Sequence, residues 1–200
     1  MMSVTVIRYH RAMSRWEPDA KGRLAQAAIE LYVEHGFEQT TVADIAERAG
    51  LTERTFFRHF TDKREVLFAG QDDFQEMFIA AIAGAPSAAS PLQAAEAGLY
   101  AAADTFEPRR PWSVQRNRVI SANPGLQERE LIKLAHLKTA IAATLRDRGI
   151  GEPAASLGAE SVVAVFHVAF QAWIEDGNSL TFREIANQSL AALKAVTSDQ

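Results

Sequence analysis

The side chains with chemistry to offer crowd into one short stretch. Between Thr52 and Phe60 stand Glu53, Arg54, Phe57 and Arg58, which share a projecting face if the stretch is helical, while Phe56 and Phe60 point the other way. An arginine near the start of such a helix can bond guanine O6 and N7 with both arms of its guanidinium, and a glutamate can accept from cytosine N4. That is the chemistry of reading a DNA groove. Blander roles stay open: Arg54 as a phosphate contact or a solvated charge, Glu53 as a group that repels phosphate at wrong sites.

Bond-making chemistry finds little support. The chain has no cysteine, which removes thiolate nucleophiles, disulfides and thiolate zinc sites. No G-x-S-x-G, H-E-x-x-H, G-x-G-x-x-G or Walker-type segment occurs, and no histidine pair has metal-ligand spacing. The reading is of a protein that is not an enzyme and holds neither metal nor cofactor.

The elements that would position this face follow from periodicity. Leu24, Ala27, Ala28, Leu31 and Tyr32 make the buried stripe of a helix over 19–34, which Gly36 ends. A short helix capped by Thr40 or Thr41 places Val42, Ile45, Ala46 and Ala49 on one face, and Gly50 turns the chain. Thr52 caps the next helix, and Thr61-Asp62 opens a fourth in which Leu67, Phe74, Phe78 and Ala81 recur. Helix, short glycine-containing turn and capped helix over 41–60 is the helix-turn-helix arrangement, whose second helix enters the major groove.

Beyond the Pro-bearing loop 84–91, further helices are predicted near 91–105, 109–121, 124–148, 155–176 and 181–197, set off by Pro and Gly. The chain thus reads as all-α, with about nine helices.

Four segments carry a family resemblance: the run Ala27 to Phe37, Thr40-Thr-Val-Ala-Asp-Ile-Ala46, Ala49-Gly-Leu-Thr-Glu-Arg-Thr-Phe-Phe-Arg-His-Phe60 and Asp62-Lys-Arg-Glu-Val-Leu67. In this order and spacing they resemble the TetR family of bacterial transcriptional regulators over about 21–74. The resemblance implies a basic arm at 1–18, an N-terminal three-helix DNA-binding domain at 19–66, and a C-terminal helical effector-binding and dimerisation domain at 67–200. It also implies a double-stranded operator as partner and, as the family's usual role, repression relieved by a small molecule.

By the same resemblance Thr41 and Thr52 present hydroxyls or helix-terminal amides to phosphates, although capping alone would account for both. Thr55 and Arg58 join Arg54 on the reading helix, and His59 and Lys63 match positions that hold the DNA backbone. Ala43 matches a position that touches base or backbone, with little side chain to do so. Phe57 departs from the family's usual tyrosine and loses a hydroxyl contact to phosphate, leaving apolar contact to a sugar or a thymine methyl.

The C-terminal part is expected to enclose a pocket for an effector of unknown identity, apolar or acyl-type, with Trp112, Arg116, Leu134, His167, Phe170 and Trp173 as candidate lining. Leu134, Leu137, Ile141 and Leu145 form the buried stripe of the long helix. Arg109, Arg110, Arg116 and Arg118 read first as solvated charges and second as partners of an anionic headgroup. His167 reads as a core histidine before a ligand contact, and His136 as exposed. The stretch 161–174 is apolar nearly all round, so burial on more than one side is expected. A homodimer through the last two helices accounts for this, as does a central helix in a monomer.

The net charge of −4 is unevenly placed: residues 1–68 balance 10 basic against 10 acidic side chains, and the acidic excess lies beyond them. Arg8, Arg11 and Arg15 make the arm locally basic, suited to a minor groove or to remaining a solvated tail. Met2 and Met13 are alternative starts. No run of eighteen apolar residues occurs, and Val4–Ile7 is too short for a signal-peptide core, so a cytoplasmic protein without a membrane partner is expected.

Overall fold

The computed structural model describes residues 19–197, so the arm with Arg8, Arg11 and Arg15 lies outside the described residues. Nine α-helices and no strand occur among those described. The first three, α1 (Ala20–His35), α2 (Val42–Arg48) and α3 (Glu53–His59), form the head. Thr41 caps α2 in a reciprocal box: its hydroxyl accepts from the Asp44 amide at 3.1 Å while its own amide donates to the Asp44 carboxylate at 2.8 Å. Thr52 caps α3 by accepting from the Thr55 amide at 3.2 Å. Between the two helices Gly50 takes φ +66°, a left-handed value that glycine adopts without strain. Leu24, Ile45 and Phe56 are fully buried where α1, α2 and α3 meet, and each such side chain contributes about 1.5–3 kcal/mol.

The segment after α3 departs from the expected continuous helix. The Asp62 carboxylate accepts from the amides of Arg64 (2.7 Å) and Glu65 (3.1 Å) and starts only a 3-10 turn, Glu65–Phe68. Gly70 at φ +81° then breaks the chain direction, and α4 begins at Gln71. The result places Val66, Leu67 and Phe68 in the core of the head rather than on a helix leading away from it.

The remaining helices are α4 (Gln71–Ala83), α5 (Pro91–Phe106), α6 (Arg110–Ser121), α7 (Pro124–Asp147), α8 (Ala154–Ile174) and α9 (Phe182–Thr197). Ser90 and Gln93 cap α5 reciprocally, with Pro91 in the first turn, where its missing amide costs nothing. A second core joins α4, α5, α7, α8 and α9 through Phe78, Leu99, Ile141, Leu145, Trp173 and Phe182. Gly98 lets α5 lie directly against α4, because a β-carbon there would overlap the Phe78 ring. α6 belongs to the other core: Val119 and Ile120, with Leu126 at the start of α7, pack beneath the head.

The apolar helix α8 buries one broad side, yet Leu157 is 62% and Val168 58% exposed, and Ala164, His167 and Gln171 lie on the same open face. By length and composition α8 could also cross a membrane, a property that counting runs of apolar residues missed; 56% of its most apolar window is buried inside the chain.

Candidate nucleic-acid interface and internal cavity

α3 is held by its inner side. Phe56 and Phe60 are buried, their rings 5.5 Å apart, so Glu53, Arg54, Phe57 and Arg58 are all turned outward. The Phe57 ring is 55% exposed and meets Phe56 edge-on. No ion pair engages Arg54 or Arg58 among the described residues. Other cations of the head are occupied: Arg48 grips the Glu34 carboxylate at 2.8 and 3.2 Å, and Arg64 pairs with Asp62 at 2.9 Å. Hydrogen bonds from Arg48 hold Glu34 below the usual carboxylate range, as those from Thr41 do for Asp44. Thr41, Ala43 and Thr52 are exposed, and the Thr55 hydroxyl is shared with Thr52 at 3.1 Å.

Two expected backbone contacts are placed differently. The Lys63 ammonium turns inward and donates to the carbonyls of Phe37 (2.9 Å), Glu38 (3.2 Å) and Thr40 (3.0 Å), lying 4.6 Å from the centre of the Phe37 ring. It ties the end of α1 to the start of α2, because those carbonyls lack helical partners. The Lys63 carbonyl in turn accepts from the Tyr32 hydroxyl at 2.6 Å, and burial, followed by the charge of Asp62, pushes that phenol up. His59 is half-buried, and its Nε2 is enclosed without a partner.

Beneath the head lies a cavity of about 420 Å³, bounded by the 3-10 turn 65–68 and parts of α4 to α8. Trp112, Arg116, Leu134, His167 and Phe170 are on its wall, joined by Phe68, Gln71, Phe74, Phe106, Arg109, Glu130 and Leu131. Trp173 is not: it is fully buried in the second core, its ring 5.7 Å from Phe182 and 6.0 Å from Phe106, because residue 173 falls on the inward side of α8. The same helical rotation carries His167 out of the core to the exposed rim. Leu134 is half-buried on the wall, and Leu126 joins the buried stripe of α7. His136 is exposed.

The arginines of α6 are mostly committed. Arg110 donates to the carbonyls of Trp173 (3.0 Å) and Glu175 (3.1 Å) and so closes the end of α8. Arg116, with a side chain only 13% exposed, pairs with Glu130 through two bonds of 3.0 and 2.6 Å. Arg118 reaches Asp176 at 3.9 Å in open solvent. Arg109 stands exposed at the rim, with no ion partner among the described residues. Gln71 turns an enclosed, unpartnered Oε1 to the same wall. Periodicity pointed to Phe74 only as a helix core position, and nothing in the sequence brought Glu130 or Gln71 to the cavity.

Comparison with known proteins agrees with this architecture. Residues 24–69 match the description "Bacterial regulatory proteins, tetR family", and residues 89–198 match the "MftR C-terminal domain". The HTH-type transcriptional regulator TcmR of Streptomyces glaucescens is 42% identical over 74 residues, covering 37% of this chain and 33% of that protein. The chain thus spans about a third of the length of that relative. A Mycobacterium tuberculosis protein named "Putative mycofactocin biosynthesis transcriptional regulator MftR" is 26% identical over 156 residues, 76% of this chain and 79% of its own length. Among solved structures, the TetR-family repressor FadR of Thermus thermophilus in complex with lauroyl-CoA superposes with a TM-score of 0.56 at 18% identity, covering 90% of this chain and 96% of that one. With both halves matched and the helix-turn-helix built as described, the chain belongs to the TetR family of bacterial regulatory proteins.

Proposed function

We propose that this protein is a transcriptional regulator that binds a pseudo-palindromic operator as a homodimer and is released from it by a small molecule held in the cavity. The observation that carries the reading is the outward face of α3, where Arg54, Phe57 and Arg58 stand exposed and the two arginines have no ion pair among the described residues, whereas Arg48, Lys63 and Arg64 of the same head are tied to the protein itself. Arg54 reads a base edge and Arg58, one turn on, reads or brackets it, while Thr41, Ala43, Thr52, Glu53 and Thr55 line the approach. Phe57 offers apolar contact in place of a hydroxyl. With the DNA in the cytoplasm, the protein acts there; repression is the mode the family favours.

The dimer forms through α8 and α9, where Leu157, Ala164 and Val168 make an open apolar stripe beside the exposed Ala191, Ala192 and Val196. Such a pairing would set the two α3 helices about one helical repeat apart, ~34–36 Å. The effector has an apolar body, which Phe68, Phe74, Phe106 and Phe170 suit, and an anionic or polar group that meets Arg109 at the rim. A ligand that prefers the wrongly spaced state lowers operator affinity by its preference, commonly ~1–3 kcal/mol.

Fluorescence anisotropy with DNA flanking the protein's own gene, scrambled DNA and an Arg54→Ala variant tests the reading at two salt concentrations. Expected are specific binding that weakens with salt and a loss of about 1–3 kcal/mol in Arg54→Ala, with relaxed discrimination at one base pair. Equal affinity for flanking and scrambled DNA in both proteins would overturn it.

A further inference from the structure

We infer that Arg116 is the positioning residue through which the wall of the cavity holds the DNA-binding head, and that a guest in the cavity acts on the head by disturbing this residue. The inference rests on the reading above only in calling the head a DNA-binding unit and the cavity a ligand site.

The 3-10 turn 65–68 serves two structures at once, as Ile120 of α6 does. Leu67 and Phe68 are buried members of the head's core and also wall residues of the cavity. What fixes this turn against the body therefore adds to the direct packing of α6 beneath the head in holding the head, and two arginines do so. Arg116 from α6 donates Nε to the Leu67 carbonyl at 2.7 Å and lies 5.1 Å from the centre of the Phe68 ring and 6.0 Å from that of Trp112. Arg129 from α7 pairs with Glu65 and lies 5.7 Å from the Phe68 ring. Two guanidinium groups from different helices thus lie against the Phe68 ring.

Of the two, Arg116 is the one on the cavity wall, and every group it touches there except the Leu67 backbone is also a side chain of that wall: Phe68, Trp112 and Glu130. Its bidentate pair with Glu130 orients the guanidinium so that Nε is aimed at Leu67. The pair is largely shielded, with side-chain exposures of 13% and 30%. A guest that attracts either charge, or that wedges against Trp112 or Phe68, cannot leave this arrangement unchanged, since the cavity is packed on the far side by the head's own core.

The absence of cysteine permits a clean test. Nitroxides at Glu47→Cys in α2 and Thr139→Cys in α7, both exposed positions, report the head-to-body distance by pulsed dipolar spectroscopy. Dilution with excess unlabelled protein restricts the signal to pairs within one chain, so neither a dimer nor DNA is required. Without any guest, wild-type protein should give a single narrow distribution, and Glu130→Gln should add a second population displaced by about 2–5 Å, the scale of helix shifts in switching proteins. Arg116→Lys, which keeps the charge but loses the aimed Nε bond, should do the same with helicity and urea midpoint showing that the chain is folded. A merely stabilising role would lower the urea midpoint and leave the distance distribution of the folded protein unmoved, and wild-type distributions in both folded variants would overturn the inference. Failure to bind operator would count against the proposed function alone, since this measurement uses neither operator nor guest.

Discussion

Replacing Lys63 by methionine separates two roles that the same residue type could play. The lysine ammonium donates to three carbonyls at 2.9 to 3.2 Å and lies over the Phe37 ring. Hydrogen bonds to a charged group contribute about 1.5–3 kcal/mol each, but three from one ammonium do not add. The Glu38 carbonyl is exposed and regains water in the variant, whereas the bonds to Phe37 and Thr40 are partly buried. Releasing the lysine chain returns up to about 2 kcal/mol of side-chain entropy, and methionine keeps the apolar stem over Phe37. The net loss should be about 2–3 kcal/mol, read by urea unfolding followed by circular dichroism. Operator titrations across salt should keep the wild-type slope, because no phosphate contact is removed. A loss of stability under about 0.5 kcal/mol together with a slope reduced by about one would refute the assignment and return Lys63 to the DNA backbone.

Gly98→Ala would drive a methyl into the buried Phe78 ring between α4 and α5, and it should cost about 1–3 kcal/mol in thermal or urea unfolding. Thr41 hydrogen bonds hold Asp44 below its ordinary value of 3.8; a lowered folded-state value means the stabilisation is complete above that ordinary value and is lost as pH falls through the folded one. Asp44→Asn should therefore flatten the acid limb of the stability profile below about pH 4, and an unchanged limb would show that the box contributes nothing. Val168→Arg would set like charges against each other across a two-fold interface on α8, raising the dimer dissociation constant at least about tenfold in sedimentation analysis; unchanged association would place the dimer elsewhere.

How much of this was legible beforehand depended on whether the information is local. Helix boundaries and caps are local, and Thr41, Thr52 and Gly50 act where the residue types predicted N-termini and a turn. The inward Phe56 and Phe60 and the outward Arg54, Phe57 and Arg58 follow from a period of 3.6 once one face is buried. The exception among local features is 61–70, where helical spacing of apolar residues concealed an Asp62-capped turn and the Gly70 break.

The sequence by itself therefore determined the helical architecture, the helix-turn-helix and its projecting face, because these rest on periodicity and capping within a few residues. Tertiary structure decided what each polar side chain spends its hydrogen bonds on. Lys63 meets carbonyls 23 to 26 residues away, Arg116 meets Leu67 across 49, and Arg110 closes α8 from 63 and 65 residues away. It also decided that Trp173 belongs to the core and His167 to the rim, about one and two-thirds turns apart on a single apolar helix. An amphipathic pattern shows which side of a helix is covered, but the neighbour that covers it, and the space left between them, arise only when all the helices are packed together.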